Sequence, residues 1–285
     1  MKCLVTGVNG QLGHDLVFEL KKRGYTDILG VDYEDMDITN KEQVEFVIKG
    51  YMPDVIFHCA AYTAVDNAET DEEMCFKVNR DGTQNIADVA KEIGGKLIYI
   101  STDYVFDGTK DGVYETTDTP NPINVYGRSK HEGELAALTN PKTYVVRTSW
   151  VFGINGKNFV KTMINLSKTK DELNVVSDQI GSPTYTSDLS KLLVDMAESD
   201  KYGIYHGTNE GYISWYEFAK LIFEVMGIDM KVNPVTSEEY VTAAVRPKNS
   251  RLSKQKLIDS SFSLLPTVKD ALERYKEELI KEKFL

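Results

Sequence analysis

The first 150 residues alternate short apolar runs with amphipathic stretches, and this alternation restricts the fold more than any other feature. Cys3-Leu4-Val5, Ile28-Leu29-Gly30-Val31, Val55-Ile56-Phe57, Leu97-Ile98-Tyr99-Ile100 and Tyr144-Val145-Val146 are apolar at consecutive positions, not alternate ones. A strand with one wet face alternates, whereas a run apolar on both faces belongs to a parallel sheet covered on both sides. Between these runs, Leu12, Leu16, Val17 and Leu20 mark one helical stripe, Val44, Val47 and Ile48 a second, and Ile86, Val89, Ala90 and Ile93 a third. Right-handed βαβ units of this kind wind into a Rossmann-like α/β fold, a doubly wound parallel sheet.

The second half is less regular. Helices are expected over Phe159 to Leu166, over Asp188 to Met196 and from about Thr267 to Lys281. Another opens at Ser214-Trp215-Tyr216-Glu217, a capping box. Gly181-Ser182-Pro183-Thr184 reads as a loop. The predicted organisation is a dinucleotide-binding domain over residues 1–150 and a smaller mixed α/β substrate domain over 151–285, with about 172–200 returning to the sheet domain.

Charge narrows the partners. Thirty-three Lys and Arg against 44 Asp and Glu give a net charge of −11, which argues against nucleic acid and anionic membranes as partners. No apolar run reaches the roughly 18 residues of a membrane helix, and the apolar run at the N-terminus is too short for a signal peptide. Three cysteines, Cys3, Cys59 and Cys75, show no CxxC or metal spacing and read as reduced thiols of a cytoplasmic protein.

Gly7-Val8-Asn9-Gly10-Gln11-Leu12-Gly13 joins the first strand to the first helix. Gly7 and Gly10 allow close backbone approach, Gly13 lets helix and strand touch, and the helix N-terminus offers free N–H groups to a pyrophosphate. Asp32, at the end of the second strand, can accept from both hydroxyls of the adenosine ribose, which on electrostatics favours NADH. The alternative is an exposed loop carboxylate, since Glu34, Asp35 and Asp37 crowd the same segment; Asp37-Ile38 can also lie against the adenine.

Tyr126-Gly127-Arg128-Ser129-Lys130 places a phenol and an ammonium on one helix face. A neighbouring ammonium stabilises phenolate, and a phenol tuned in this way can protonate a carbonyl oxygen as hydride reaches its carbon. A second such pair, Tyr216 and Lys220, reads as a packed ring with a solvated amine. Ser101-Thr102-Asp103 distinguishes the first pair: a hydroxyl at the C-terminal end of a parallel strand faces the ligand crevice, so Thr102 or Ser101 can bind the same oxygen. His58, at another strand end, reads as a packed side chain.

Gly7–Gly13, Ala60-Ala61, Asn79, the hydroxyls after the fourth strand and Tyr126/Lys130 together resemble the extended short-chain dehydrogenase/reductases. The strings Cys59–Asp66, Ser101–Gly108, Asn124–Gly127, Arg147–Phe152, Asp178–Thr184 and Arg246–Leu252 look like their dTDP-4-dehydrorhamnose reductase branch, and the resemblance covers nearly the whole chain. It implies reduction of the C4 ketone of dTDP-4-dehydro-L-rhamnose by NADPH or NADH. It also implies that Thr102, Tyr126 and Lys130 are catalytic and that Asp103 and Trp150 contact the sugar. Gly7, Asn9, Gly10, Gln11, Leu12, Asp32, Asp37, Ile38, Ala60, Ala61 and Tyr62, with Tyr126 and Lys130, would line the cofactor. Some members of the branch hold Mg²⁺ between subunits; here Asp15 and Asp188 are the nearest counterparts, they read as solvated surface charges, and no metal is expected to be required. A homodimer is compatible with the resemblance.

A nucleotide-sugar carries a diphosphate, so an acidic protein must gather positive charge where that group docks. Arg246, Lys248 and Arg251 fall within six residues; Arg246, with Arg251, is the expected diphosphate anchor, and the alternative is a solvated basic loop. The competing functions are another nucleotide-sugar epimerase or dehydratase of the same fold, and a non-catalytic subunit that binds the dinucleotide.

Overall fold

The computed structural model describes residues 1–285. The chain begins β1 (Cys3–Thr6), α1 (Gln11–Lys22), β2 (Ile28–Val31), α2 (Lys41–Tyr51) and β3 (Val55–His58). Two short helices follow, α3 (Val65–Ala68) and α4 (Glu72–Phe76), and a π-helical turn over Lys77–Gly82 leads into α5 (Thr83–Glu92). Next come β4 (Lys96–Thr102), α6 (Val125–Ala137) and β5 (Thr143–Thr148). The rest comprises β6 (Val151–Phe152), α7 (Phe159–Ser167), β7 (Glu172–Val176), β8 (Ile180–Gly181), β9 (Thr184–Tyr185) and α8 (Thr186–Ala197). It ends with β10 (Gly203–His206), β11 (Ile213–Ser214), α9 (Trp215–Met226), β12 (Lys231–Val235), α10 (Gln255–Asp259) and α11 (Val268–Lys281).

Six strands form one parallel sheet in the order β10-β5-β4-β3-β1-β2. Consecutive residues of its central strands point to opposite faces, and both faces are covered. Cys3, Val5 and Phe57 enter the core under α1 and α8, while Leu4, Ile56 and Leu97 enter the core under α2 and α5. This is why the strands read as unbroken apolar runs. Leu16 and Leu20 of α1 meet Leu189 and Leu193 of α8 in the first core; truncating any one of them to Ala costs about 2–5 kcal/mol. A third core lies outside the sheet, where Phe152, Tyr185, Phe218 and Tyr275 pack with α7, α9 and α11.

Two expectations need correction. The segment that returns to the sheet begins later than about residue 172. Glu172–Val176 pairs with β12 in a separate two-stranded sheet, whereas α8 packs on α1 and β10 pairs with β5. Gly181–Thr184, expected as a loop, is one only at Ser182 and Pro183. It joins the two-residue strands β8 and β9, and Gly181, Ser182 and Thr184 are buried.

The strand order reverses between β1 and β3, so the crevice at their C-terminal ends is where a doubly wound sheet binds its ligand. Loops from that edge and residues of the third core enclose it.

Candidate active site

A cavity of about 920 Å³ opens over the C-terminal ends of β1 to β5. The glycine turn forms its floor. Gly7 has φ +65°, and a Cβ there would lie 2.8 Å from the Ala60 amide nitrogen. A Cβ on Gly13 would collide with the Gly7 carbonyl. Gly10 caps α1 with no side-chain hydrogen bond, and the first turn carries no acidic residue. The amides and positive dipole end of a 12-residue helix are therefore left unneutralised beside the cavity. These features fit a dinucleotide pyrophosphate.

Asp32 lines the cavity and also holds the turn in place: its carboxylate accepts from the Asn9 amide (3.0 Å) and the Tyr33 amide (2.8 Å). Gly10, Leu12, Ala60, Ala61, Asp37 and Ile38 lie on the cavity wall, as does Gln11, whose side-chain oxygen accepts from the Gly153 amide. Asp37 accepts from the Thr39 amide and hydroxyl, and the Ile38 carbonyl is held by Asn85. Asn9 and Tyr62 are not wall residues. Asn9 offers its amide to Asp32 and its carbonyl to Asn155, and the Tyr62 phenol turns to Asp71.

The reactive end is built on α6. Asn124 caps this helix through the Gly127 amide (2.7 Å), and Gly127 packs so tightly against the Tyr104 carbonyl that no side chain would fit. One turn apart, Tyr126 and Lys130 both reach the cavity. Lys130 is 2% exposed. Its Nζ donates to the Ile100 carbonyl (2.7 Å) and lies 4.1 Å from the centroid of the Tyr99 ring. Burial pulls its ammonium down to about 7. The Tyr126 phenol is pushed up by burial and then by the charge of Asp103, with the Thr102 hydroxyl opposing. The expected lowering of the phenol by Lys130 is therefore not what this geometry produces, because the ammonium's hydrogen bond goes to a backbone carbonyl.

Strand alternation gives Ser101 and Thr102, both on the cavity lining, different partners. The Ser101 hydroxyl donates to Glu134 (2.6 Å), while Thr102 sits with Tyr126. Asp103 also lies on the wall, 3% exposed; its Oδ1 accepts from Thr102 (2.9 Å) and its Oδ2 has no partner. Burial raises its carboxyl to about 6.

Trp150 has φ +50° and stacks on Trp215, with centroids 3.7 Å apart and planes at 13°. Both rings line the cavity. Sequence reasoning missed Trp215, although the Ser214/Glu217 capping box that places it was legible.

Arg246 and Arg251 do not line the cavity. Arg246 forms a two-pronged pair with Asp66 (2.6 and 3.1 Å), and Arg251 donates to Asn249 (2.8 Å). Arg246 does approach Tyr104, a wall residue. Lys77, on the π-helical turn, is an exposed cation on the wall that the sequence reading did not single out. Asp15 and Asp188 are not solvated charges: Asp15 is buried against Thr186 and His14, and Asp188 receives both Arg274 prongs and Asn209. His58 is packed between Thr6 and Thr83, and burial holds it neutral at about 3. Lys220 lies over the Tyr216 ring, 5.3 Å from its centroid.

The family described as RmlD substrate binding domain matches residues 1–280. A dTDP-4-dehydrorhamnose reductase of Aggregatibacter actinomycetemcomitans is 44% identical over 93% of this chain and 95% of its own. One from Sinorhizobium fredii is 42% identical over 96% of each chain. Among solved structures, a dTDP-4-dehydrorhamnose reductase from Bacillus anthracis in complex with NADP is 44% identical, covers 98% of this chain and 100% of that one, and superposes with a TM-score of 0.95. With a dinucleotide cradle, a tyrosine–lysine pair on α6 and this likeness along almost its whole length, the chain belongs to the RmlD family, that of the dTDP-4-dehydrorhamnose reductases.

Proposed function

We infer that this protein is an NAD(P)H-dependent oxidoreductase that reduces the C4 ketone of dTDP-4-dehydro-L-rhamnose to dTDP-L-rhamnose, a step of deoxysugar biosynthesis. The observation that carries the reading is the placing of Tyr126, Thr102 and Lys130 together at one end of a cavity whose other end is a pyrophosphate cradle.

When bound, the reduced nicotinamide supplies hydride. Everything else falls to this chain. The amides of α1 hold the pyrophosphate, and Asp32 meets the adenosine ribose. A 44% identical relative is solved in complex with NADP, and Asp32 stands where a free ribose would bind, so either NADH or NADPH serves as reductant. Thr102 holds the ketone oxygen. Tyr126 gives that oxygen its proton, and the rise in its pKa keeps the proton on the phenol until the oxygen becomes basic. Lys130 orients the cofactor's ribose. Asp103 faces the sugar hydroxyls, and the stacked Trp150 and Trp215 exclude water from the sugar's apolar face.

No helix is long and apolar enough to cross a membrane, and the three cysteines are free thiols. We place the protein in the cytoplasm, acting on a small nucleotide-sugar.

Purified protein given dTDP-4-dehydro-L-rhamnose with NADPH or NADH tests the function. The reduced nicotinamide is consumed, and the product has the C4 configuration of dTDP-L-rhamnose by NMR. Tyr126→Phe lowers kcat by about 10²–10⁴-fold and leaves NADP⁺ affinity intact. Full activity in Tyr126→Phe refutes the assignment, and absence of cofactor oxidation in the wild type refutes the function.

A further inference from the structure

Asp103 carries chemistry that a sugar contact does not use. It follows the end of β4 in a short 3-10 turn, and its Oδ2 is buried at the cavity wall without a hydrogen bond, the Ser250 hydroxyl being the nearest side-chain donor. Tyr126 of α6, Tyr104 of its own turn and Ser250 of the C-terminal segment face it. Lys130 stands one helical turn beyond Tyr126, and Arg246 lies behind Tyr104, bound to Asp66. Neither cation pairs with the Asp103 carboxyl. A buried carboxyl without a cation keeps its proton more readily than one in water, and here burial lifts it to about 6.

Thr102 connects this carboxyl to the phenol. A hydroxyl has one proton to give and two lone pairs to receive. The Thr102 hydroxyl donates to Asp103 Oδ1 at 2.9 Å, accepts from the Tyr104 amide at 3.2 Å and has a lone pair left for the neighbouring Tyr126 phenol. The three groups form a continuous line of exchangeable protons that ends at the ketone position.

We propose that Asp103 is a proton reservoir for the reduction, its carboxylic acid restoring the Tyr126 phenol through the Thr102 hydroxyl. The proposal rests on the reductase reading above. As hydride adds to the ketone carbon, the carbonyl π pair takes the Tyr126 proton and forms the product O–H bond, leaving phenolate. The Thr102 O–H bond then breaks toward the phenolate oxygen, and a new O–H bond forms on Thr102 with the proton released by Asp103. The carboxylate that remains is reprotonated from water when product leaves. One hydride and one proton are consumed for each ketone reduced.

The test uses the full-length enzyme and Asp103→Asn, which keeps the shape of the side chain but has no acid proton. In the free protein, infrared titration shows a carboxylic-acid band in the wild type that disappears as pH rises through about 6 and that is missing from Asp103→Asn. With saturating substrate and NADPH, wild-type kcat falls as pH rises through the pKa of the carboxyl. Asp103→Asn loses that limb and about 10- to 100-fold in kcat, with KM within about threefold of wild type. Thr102→Val breaks the line and also loses the limb, while its carboxyl band persists; this keeps the test decisive if Asp103→Asn folds poorly. Persistence of the limb in Asp103→Asn, a defect confined to KM, or a wild type without a titrating band each overturns the proposal. If the wild type reduces no dTDP-4-keto sugar, it is the reductase reading that fails, and the infrared titration still reports on Asp103.

Discussion

Arg147→Met removes one half of an ion pair buried beneath the reactive end of the cavity. Arg147 and Glu134 are 1% and 2% exposed. The guanidinium meets the carboxylate with two bonds of 2.8 Å, and Ser101 adds a third donor at 2.6 Å. Burial alone would raise the Glu134 carboxyl; Arg147, His131 and Ser101 outweigh it and hold the carboxyl at about 2, against 4.5 for the unperturbed group. That depression is worth about 3 kcal/mol by linkage, the lower end of the roughly 3–5 kcal/mol expected when one partner of a buried pair is lost. An unfolding entropy of ~2.1 cal/mol/K per residue makes ~0.6 kcal/mol/K for this chain, so Tm falls by about 5–8 °C. Scanning calorimetry at pH 7 measures the drop. The sign with pH follows from the depressed carboxyl: its contribution is present above about 4.5 and is lost as pH falls toward about 2. Arg147→Met therefore shows a weaker acid-induced loss than the wild type. Glu134→Leu combined with Arg147→Met recovers much of the stability, because no lone charge stays buried. A fall in Tm under about 2 °C, or a double variant no more stable than Arg147→Met, would refute this reasoning.

Gly7→Ala forces a Cβ against the Ala60 backbone at a positive φ; it weakens NADP⁺ binding by at least about tenfold, measured by calorimetry, and strains the turn by about 1–3 kcal/mol. Lys130→Met abolishes turnover yet raises Tm at pH 6.5. The buried ammonium, pulled down to about 7, costs stability that is relieved only as pH rises from about 7 toward 10.5, and Met carries no such cost. Trp215→Ala removes one face of the indole stack and raises KM for the nucleotide-sugar by about 2- to 10-fold, with kcat changed less.

The five strands of the first half were legible because each is covered on both faces, so a local run of apolar residues carries the whole signal. The same logic fails at β7 and β12, which hold Glu172, Asn174, Lys231, Asn233 and Pro234; their pairing is set by contacts some 59 residues apart in sequence. That the glycine turn, Tyr126, Lys130 and the strand-end hydroxyl meet in one cavity was legible because local spacing and strand ends place them there. The pairing of Arg246 was hidden for the opposite reason: a basic residue in a loop announces its charge but not its partner, and Asp66 lies 180 residues away. Nothing local to a helix or strand marks Glu134 and Arg147 as a pair that will be sealed from water.

The path of the chain bears on how this enzyme could be divided. After β5 it leaves the sheet to build the aromatic third core, comes back through α8 and β10, and leaves again for α9. It then returns with Leu257, Phe262 and Leu265 to the core under α1, and departs a last time with α11. The two halves are stitched together, not strung as beads. A fragment ending at residue 150 would lose the sixth strand and expose the leucines of α1 that α8 covers, so truncation would give an aggregating remnant in place of a minimal dinucleotide-binding module. Any exchange of the sugar-recognising part between relatives would have to swap several separated segments at once.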